Sequence, residues 1–279
     1  MFSDMFEMFN QNEEEENVSS AMSSQEPSEE SSSYSPDHSA YSAPARETFV
    51  ISVGGSVFIQ DKPNAALLAK FGETIDSLHR EGYRFALVIG GGKIGRSYIA
   101  AAKGIGATNY AMDEIGIALT QVNARLLIEA IESSHKEVLA KVADAKAVID
   151  QGKIPVFGGL LPGITTDAVA ALVAESLGAN FINLSNVDGI YSSDPKHNSR
   201  AKFYESLSHT RLLSLLQVAE SKPGQNIVLD IPAALILKRS SIHSIFIDGN
   251  DLPNFESAVR GSDFRGTVVS AETEAVEDA

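Results

Sequence analysis

The chain has 279 residues, of which 43% are hydrophobic, so it is long enough to bury a substantial core in one large or two smaller domains. Its net charge is −15, but segments 1–47 and 271–279 hold fifteen acidic residues and one basic residue, which leaves 22 acidic and 21 basic residues for 48–270. A body this close to neutral argues against a nucleic-acid partner. Cysteine is absent, which excludes disulfides, thiolate nucleophiles and cysteine metal sites.

The first 47 residues differ in composition from the rest of the chain. A run of four glutamates at 13–16 stands among serine-rich stretches with few aliphatic residues, so we expect 1–47 to be a disordered acidic extension and 271–279 an acidic tail. No stretch of about 18 apolar residues is present for a membrane helix, and the N-terminal residues lack the basic and apolar regions of a signal peptide. We therefore expect a cytoplasmic location and no membrane partner.

From residue 48 onward, short apolar runs alternate with segments of helical periodicity, which predicts a parallel sheet with helices on its faces. The predicted strands are 49–53, 85–89, 154–157, 181–184, 244–247 and 267–269. Helices are predicted at 93–103, 166–177, 210–219 and 232–239. Two further helices are indicated by apolar stripes, which we assign to the core: Leu67, Leu68, Phe71, Ile75 and Leu78 on the first, and Ile115, Leu119, Val122, Leu126 and Leu127 on the second.

Glycine clusters follow three of the predicted strands, at 54–55, 90–95 and 158–163. Glycine lets the backbone approach phosphate oxygens closely, a following helix contributes free amides, and Lys93 and Arg96 add full charges. Another loop, 185–195, follows the strand at 181–184 and carries hydroxyl, amide and carboxylate side chains. Because open α/β sheets bind ligands at the carboxyl ends of their strands, these loops favour a phosphate ester as ligand.

Two common nucleotide-binding patterns do not fit these glycines. Gly90, Gly92 and Gly95 match the dinucleotide fingerprint, but that fingerprint requires an acidic residue at the end of the next strand, and Asp113 instead opens a helical segment. The Walker phosphate loop requires Ser or Thr after its lysine, whereas Lys93 is followed by isoleucine. The six histidines show no metal-ligand spacing, so we predict no metal site formed by protein side chains alone.

In their order along the chain, these residues resemble the amino acid kinase superfamily, and within it the archaeal-type uridylate (UMP) kinases. The resemblance covers about 48–270. It implies a three-layer αβα sandwich with a mainly parallel central sheet, an acceptor-binding lobe at about 48–157 and an ATP-binding lobe at about 158–270. It also implies Mg²⁺-dependent transfer of the γ-phosphoryl group of ATP to UMP, and assembly as a homohexamer. Its most specific pieces are Gly54-Gly55-Ser56, 90–96, Asp113 with 115–117 and 123–124, 165–171, and 186–189 with Tyr191, Asp194 and Pro195.

The resemblance further implies roles for individual residues. The ATP-binding residues would be Gly55, Ser56, Gly92 and Arg96 at the phosphates, and Ser185, Asn186, Tyr191 and Asp194 at the adenosine. The UMP-binding residues would be Gly91, Asp113, Leu160, Leu161, Pro162, Gly163, Ile164, Thr165 and Thr166. Catalysis would depend on Asp167, which organises the charges around the transferred phosphate, and on Lys93 and Arg96, which neutralise it.

The chain departs from the superfamily pattern at two positions. Many relatives have a lysine at the positions of Ser52 and Leu235, and Lys238, three residues after Leu235, is the candidate substitute for the second of these cations. Two other interpretations therefore stay open. One is a kinase of the same superfamily with a different small-molecule acceptor, and the other is a noncatalytic nucleotide-binding or storage protein on the same fold.

Overall fold

The computed structural model describes residues 47–193, 195, 198–220 and 228–271. This part of the chain contains helices and strands, with one short 3-10 turn at Val142–Asp144. The strands are β1 (Thr48–Val53), β2 (Arg84–Ile89), β3 (Ser134–Val138), β4 (Ile154–Phe157), β5 (Asn180–Ser185), β6 (Ile190–Tyr191), β7 (Phe203–Tyr204), β8 (Ser206–Ser208), β9 (Ser244–Asp248) and β10 (Thr267–Ser270). The helices are α1 (Gly55–Phe58), α2 (Ala65–Arg80), α3 (Gly92–Gly104), α4 (Asn109–Ala130), α5 (Ala145–Asp150), α6 (Thr166–Leu177), α7 (His209–Glu220), α8 (Ile231–Arg239) and α9 (Leu252–Val259).

The expected disordered extension and acidic tail lie outside the described residues, apart from Glu47 and Ala271, and stay predictions. The division of 48–270 into an acceptor lobe and an ATP lobe also stays a prediction. None of the described helices has the length and apolar character needed to cross a membrane.

Eight strands form one sheet in the order β3-β4-β2-β1-β5-β9-β10-β8. The six strands from β3 to β9 are parallel to one another, β10 is antiparallel to β9, and β8 is parallel to β10. β6 and β7 form a separate two-stranded hairpin. The central sheet is therefore mainly parallel, as predicted.

Helices cover both faces of this sheet because its central strands are apolar on both sides. In β1, Phe49 and Ile51 point into a core shared with α2, α4 and α9, while Val50 points into a second core shared with α5, α6, α7 and α8. Strands buried on both faces read as continuous apolar runs, and this is the pattern of 49–53. The predicted three-layer αβα sandwich is confirmed.

The predicted elements agree with the structure to within one residue at each end. All six predicted strands and all four helices with predicted bounds are present. β3, β6, β7 and β8 were not predicted. β3 reads Ser-His-Lys-Glu-Val and lies at one edge of the sheet, where exposed polar side chains remove the apolar signal. The other three have two or three residues each, too short to show a periodicity.

One of the two predicted core stripes is partly wrong. The stripe on α2 is confirmed, since all of its members from Leu68 to Leu78 are buried. On α4, Leu127 is buried as expected, but Val122 is 58% exposed and Leu126 is 38% exposed. The buried face of α4 instead carries Thr120 and Asn123 with Ala124 and Ile128. The helix turns this face inward because the two polar side chains bond to backbone groups of the glycine loops.

Candidate active site

Two glycine loops meet at the carboxyl ends of β1 and β2. The Gly54 amide donates to the Leu184 carbonyl oxygen at 2.8 Å, and this bond ties the first loop to β5. A Cβ atom on Gly55 would lie 2.2 Å from the Gly92 amide nitrogen, and Gly92 itself has a φ of +67°. Only glycine permits this approach and this backbone conformation. The loops thus present several backbone N–H groups close together, which is the arrangement that binds anions.

A cavity of about 710 Å³ opens between these loops and the elements that follow β5, which is a usual size for a small-molecule site. Most of the residues predicted to bind ATP or to act in catalysis line it, namely Gly55, Ser56, Gly92, Arg96, Asp167, Ser185, Asn186 and Tyr191. Of the residues predicted to bind UMP, Gly91 and Thr166 line it. Asp194 lies outside the described residues.

Lys93 is not among the described residues that line this cavity. Its ammonium group lies 2.7 Å from the Asp61 carboxylate, and both side chains are more than half exposed. An exposed ion pair of this kind contributes little to stability and can exchange partners readily. The structure therefore brings Arg96 to the cavity and leaves Lys93 beside it, and the catalytic role of Lys93 stays a prediction.

The loop between β4 and α6 is held against α4. The Thr120 hydroxyl accepts a hydrogen bond from the Gly159 amide at 2.7 Å, and the Asp113 carboxylate accepts one from the Gly163 amide at 2.8 Å. Leu161 is 63% exposed in this loop. Asp113 and the segment Leu160–Thr166 are thus brought together, as expected for residues of one binding site, although only Thr166 among them lines the cavity.

Asp167 lies in the first turn of α6, whose N-cap residue, Thr165, accepts a hydrogen bond from Ala168. Its Oδ1 atom accepts hydrogen bonds from the Ser52 hydroxyl at 2.5 Å and from the Asn183 side-chain amide at 3.3 Å. Burial raises the pKa of Asp167 to about 6, Asp230 adds to the rise, and the Ser52 hydrogen bond opposes it. Ser52 is buried, so a neutral donor meets the carboxylate at the position where the resemblance led us to expect a lysine.

Asp230 lies beside Asp167 and joins the starts of two helices. One of its oxygens caps α8 by accepting from the Ala233 amide at 2.8 Å, and the other accepts a hydrogen bond from the Thr165 hydroxyl. The N-terminal ends of α6 and α8 therefore meet at this point. Helix N-termini attract negative charge, and here the carboxylates of Asp167 and Asp230 take that position.

Among the described residues, two basic side chains line the cavity: Arg96 on α3 and Arg211 on α7. Lys238, the candidate substitute for the missing second lysine, lies in the last turn of α8 and is not among them. Because a helix rises about 1.5 Å per residue, Lys238 lies roughly 12 Å along the helix axis from the cap at Asp230. This position does not support the substitution.

The loop after β5 is fixed by an acidic side chain next to the cavity. Asp188 accepts a hydrogen bond from the Tyr191 hydroxyl at 2.8 Å and one from Arg265 at 2.7 Å. Burial raises the pKa of Asp188, but these two hydrogen bonds, a backbone hydrogen bond and the charge of Arg265 together outweigh burial, and the pKa lies below its ordinary value. Burial and Asp188 both raise the pKa of Tyr191. The Tyr191 ring therefore faces the cavity from a fixed position, while its hydroxyl is used by Asp188.

Three residues at the site were not singled out from the sequence, namely Thr120, Asn183 and Arg211, and a fourth, Asn123, was named in the family resemblance without a role. Asn123 donates from its side chain to the Gly90 carbonyl oxygen at 2.9 Å, and Thr120 holds Gly159. Their spacing of three residues on α4 was a usable signal, since it places two polar side chains on one helix face. Asn183 lies inside an apolar strand and Arg211 at a helix start, where neither residue type indicates a site.

The arrangement suits the binding of a polyphosphate and the neutralisation of its charge. Backbone amides of the two glycine loops, the start of α6 and Arg96 line the cavity together with the apolar side chains of Ile190, Leu215 and Val218. Transfer of a phosphoryl group needs little covalent assistance from protein, and depends on positioning and charge stabilisation. The geometry can supply both.

The chain is similar to proteins of one family over most of its described length. The model of the amino acid kinase family matches residues 47–248. The uridylate kinase of Methanocorpusculum labreanum is 42% identical over 222 residues, which cover 79% of this chain and 94% of that protein. The uridylate kinase of Archaeoglobus fulgidus is 41% identical over 222 residues, which cover 79% of this chain and 99% of that protein.

Solved structures of such proteins also resemble this one. The crystal structure of the Archaeoglobus fulgidus uridylate kinase superposes with a TM-score of 0.71 at 40% identity, covering 80% of this chain and 99% of that chain. The crystal structure of the UMP kinase of Bacillus anthracis gives a TM-score of 0.69 at 22% identity, covering 81% of this chain and 97% of that chain. At this identity the likeness supports the fold alone.

Proposed function

The chain belongs to the amino acid kinase family, and we propose that it is a UMP kinase, which transfers the γ-phosphoryl group of ATP to UMP and yields UDP and ADP. The observation that carries the proposal is the single cavity in which both glycine loops, Arg96 and Asp167 meet the loop after β5. The similarity to uridylate kinases over nearly their whole length supports UMP as the acceptor. We place the reaction in pyrimidine nucleotide synthesis, and the expected cytoplasmic location stays a prediction.

In this mechanism a phosphate oxygen of UMP attacks the γ-phosphorus of ATP, and the bond from that phosphorus to the β–γ bridging oxygen breaks. The two nucleotides carry several negative charges, so they must be held in line against their repulsion. The amides of the loops at Gly55 and Gly92, with Arg96, would hold the ATP phosphates and stabilise the charge on the moving group. Asp167 would orient the groups around that charge from the start of α6.

Mg²⁺ would arrive with ATP and neutralise its phosphate oxygens. Among the described residues no group of three or more His, Asp or Glu side chains could hold a metal ion alone. This fits Mg²⁺, which keeps several waters and is commonly bound through substrate phosphates. The cavity offers room for such a complex next to the glycine loops, and we assign the ion no protein ligand.

An ADP-release assay with each nucleoside monophosphate in turn tests the proposal. We expect turnover that depends on UMP, with UDP identified as the product. Turnover with another acceptor and none with UMP would point to a different kinase of the superfamily. Tight calorimetric binding of ATP and UMP without transfer, even at high enzyme concentration, would favour the noncatalytic alternative that Ser52 and Leu235 motivate.

Replacing Asp113 by alanine tests the proposed UMP site. The variant loses the carboxylate that holds Gly163, so the loop before α6 should be less well positioned for UMP. We expect the KM for UMP to rise about tenfold, equal to about 1.4 kcal/mol, while the KM for ATP stays within about twofold. Glu114→Ala is the matched control, since Glu114 is the next residue on α4 and is exposed. Equal changes in both KM values would contradict this assignment.

We propose that the protein is a homo-oligomer, and the homohexamer stays a prediction. The surface of α4 supports association, because it exposes three apolar side chains, Tyr110 at 60%, Val122 at 58% and Leu126 at 38%. Replacing Val122 and Leu126 by lysine should lower the molar mass measured by light scattering after gel filtration. Leu235→Lys is the control, since Leu235 is 50% exposed on α8. A wild-type monomer would refute the proposal.

A further inference from the structure

Arg211 is an exposed arginine in the first turn of α7. Its side chain is exposed, lines the cavity, and forms no ion pair with any residue in the described part of the chain. Arg239, Arg260 and Arg265, by contrast, each bind a carboxylate. A guanidinium group that faces a binding cavity without a carboxylate partner keeps all five of its N–H donors for a ligand or for water.

The start of α7 is an unfavourable place for this charge. The Ser208 hydroxyl caps the helix by accepting from the Arg211 amide at 3.1 Å, so Arg211 is the third residue after the cap. Glutamate or glutamine is preferred at that position, since its side chain can bond back to the cap residue. The helix dipole also disfavours a cation in the first turn. Local helix stability therefore does not account for Arg211.

Topology places Arg211 at the end of the cavity away from the glycine loops. β8 is parallel to β10 and therefore runs antiparallel to β9 and β1, so α7 begins at the edge opposite to the glycine loops. The contact between His209 and the Ile242 carbonyl oxygen, just before β9, agrees with this direction. From that edge α7 runs back toward the side of the glycine loops. Val218, which also lines the cavity, lies seven residues after Arg211 and therefore roughly 10 Å further along the helix axis in that direction.

The surroundings of Arg211 suit a nucleobase better than a phosphate. Leu215, one turn after Arg211 on the same face of α7, lines the cavity beside it and gives it an apolar wall there. The convergent amides and Arg96 occupy the opposite, phosphate-binding end. A planar guanidinium can stack on an aromatic ring while donating hydrogen bonds at its edge, and so can cover a purine between apolar walls.

We propose that Arg211 binds the purine base of the phosphoryl donor and thereby sets the affinity for ATP. The inference rests on the proposed function, since it assumes that the cavity holds the donor nucleotide with its phosphates at the glycine loops. Arg211 is then a binding residue for the donor and takes no part in the transfer itself. Its loss should change the KM for ATP and leave both kcat and the KM for UMP within about twofold.

Calorimetric binding of two probes to the full chain tests the assignment. The first probe is the nonhydrolysable analogue AMP-PNP with Mg²⁺, and the second is tripolyphosphate with Mg²⁺, which carries the phosphates without a base. In Arg211→Ala we expect the Kd of AMP-PNP to rise about tenfold, while the Kd of tripolyphosphate stays within about twofold. Arg80→Ala, an exposed arginine on α2, is the control that should change neither value.

A second variant separates binding from folding. Arg211→Gln places the preferred residue three positions after the Ser208 cap, so its thermal stability should equal or exceed that of the wild type while AMP-PNP binding weakens. Unchanged AMP-PNP binding in both variants would overturn the proposal, and so would equal losses for AMP-PNP and tripolyphosphate. AMP-PNP binding that depends on Arg211, without any UMP-dependent turnover, would contradict the proposed function and leave the role of Arg211 standing.

Discussion

Replacing Asp167 by asparagine is expected to lower kcat for UMP phosphorylation by about 100-fold or more, a loss typical of removing one fixed charge-stabilising group from an active site. The variant keeps the acceptor oxygen that Ser52 and Asn183 contact, so the floor of the cavity should keep its shape. It loses the negative charge that we assign to orienting the groups around the transferred phosphate. Steady-state rates at saturating ATP and UMP measure the loss.

The same substitution is expected to stabilise the fold at neutral pH. The pKa of Asp167 is raised from 3.8 to about 6, so the folded protein holds this proton more tightly than the unfolded chain does. Ionised Asp167 therefore destabilises the fold, by about 1 to 3 kcal/mol at pH 7 for a shift of this size. The wild type and Asp167→Asn should have equal stability below pH 4, and their difference should grow until pH 6 and then level off. Urea unfolding at several pH values measures it.

The pH dependence of the rate distinguishes a catalytic carboxylate from a structural one. We expect the wild-type rate to rise through pH 6 as Asp167 ionises, and the residual rate of Asp167→Asn to lack that part of the rise. The phosphate of UMP also ionises near this pH, so the two profiles must be compared with each other. Asp150→Asn is the control, since Asp150 is exposed and paired with Lys146. A variant with an unchanged rate would contradict the role of Asp167.

The fold and the glycine loops of the site were predictable because their signals are local in sequence. A buried parallel strand appears as a short apolar run, and the turn that follows it appears as glycines. Strand bounds such as 154–157 therefore agree with the structure, and the loops at Gly55 and Gly92 meet where parallel strands end. The loop at 158–163 was predicted in the same way, through its glycines.

The contacts inside the site were not predictable because they join residues far apart in sequence. The hydrogen bond from Ser52 to Asp167 spans 115 residues, and neither residue indicates the other. The orientation of α4 shows the same limit. Apolar periodicity selected the face with Val122, whereas the hydrogen bonds of Thr120 and Asn123 to the glycine loops turn a different face inward. Such bonds satisfy buried backbone groups, and the sequence of one helix does not reveal them.

Replacing Gly55 by alanine should disrupt the meeting of the two glycine loops. The new Cβ would lie 2.2 Å from the Gly92 nitrogen and 2.5 Å from the Gly90 carbonyl oxygen, and both are backbone atoms that cannot rotate away. Forcing the loops apart should lower the free energy of unfolding by about 3 kcal/mol, as overpacking in a dense region does. It should also raise the KM for ATP at least tenfold, because the amides no longer converge on the phosphates.

Gly104→Ala is the matched control for Gly55→Ala, because Gly104 is the last residue of α3 and a Cβ atom there would meet nothing within 4 Å. Alanine is the better helix former, so this variant should be as stable as the wild type or more stable by up to about 1 kcal/mol, with an unchanged KM for ATP. If Gly55→Ala behaved like Gly104→Ala, the loops after β1 and β2 would have to lie further apart than described. The phosphate-binding site would then have to depend chiefly on Arg96 and the start of α6, since two separated loops could not direct their amides at one phosphate group.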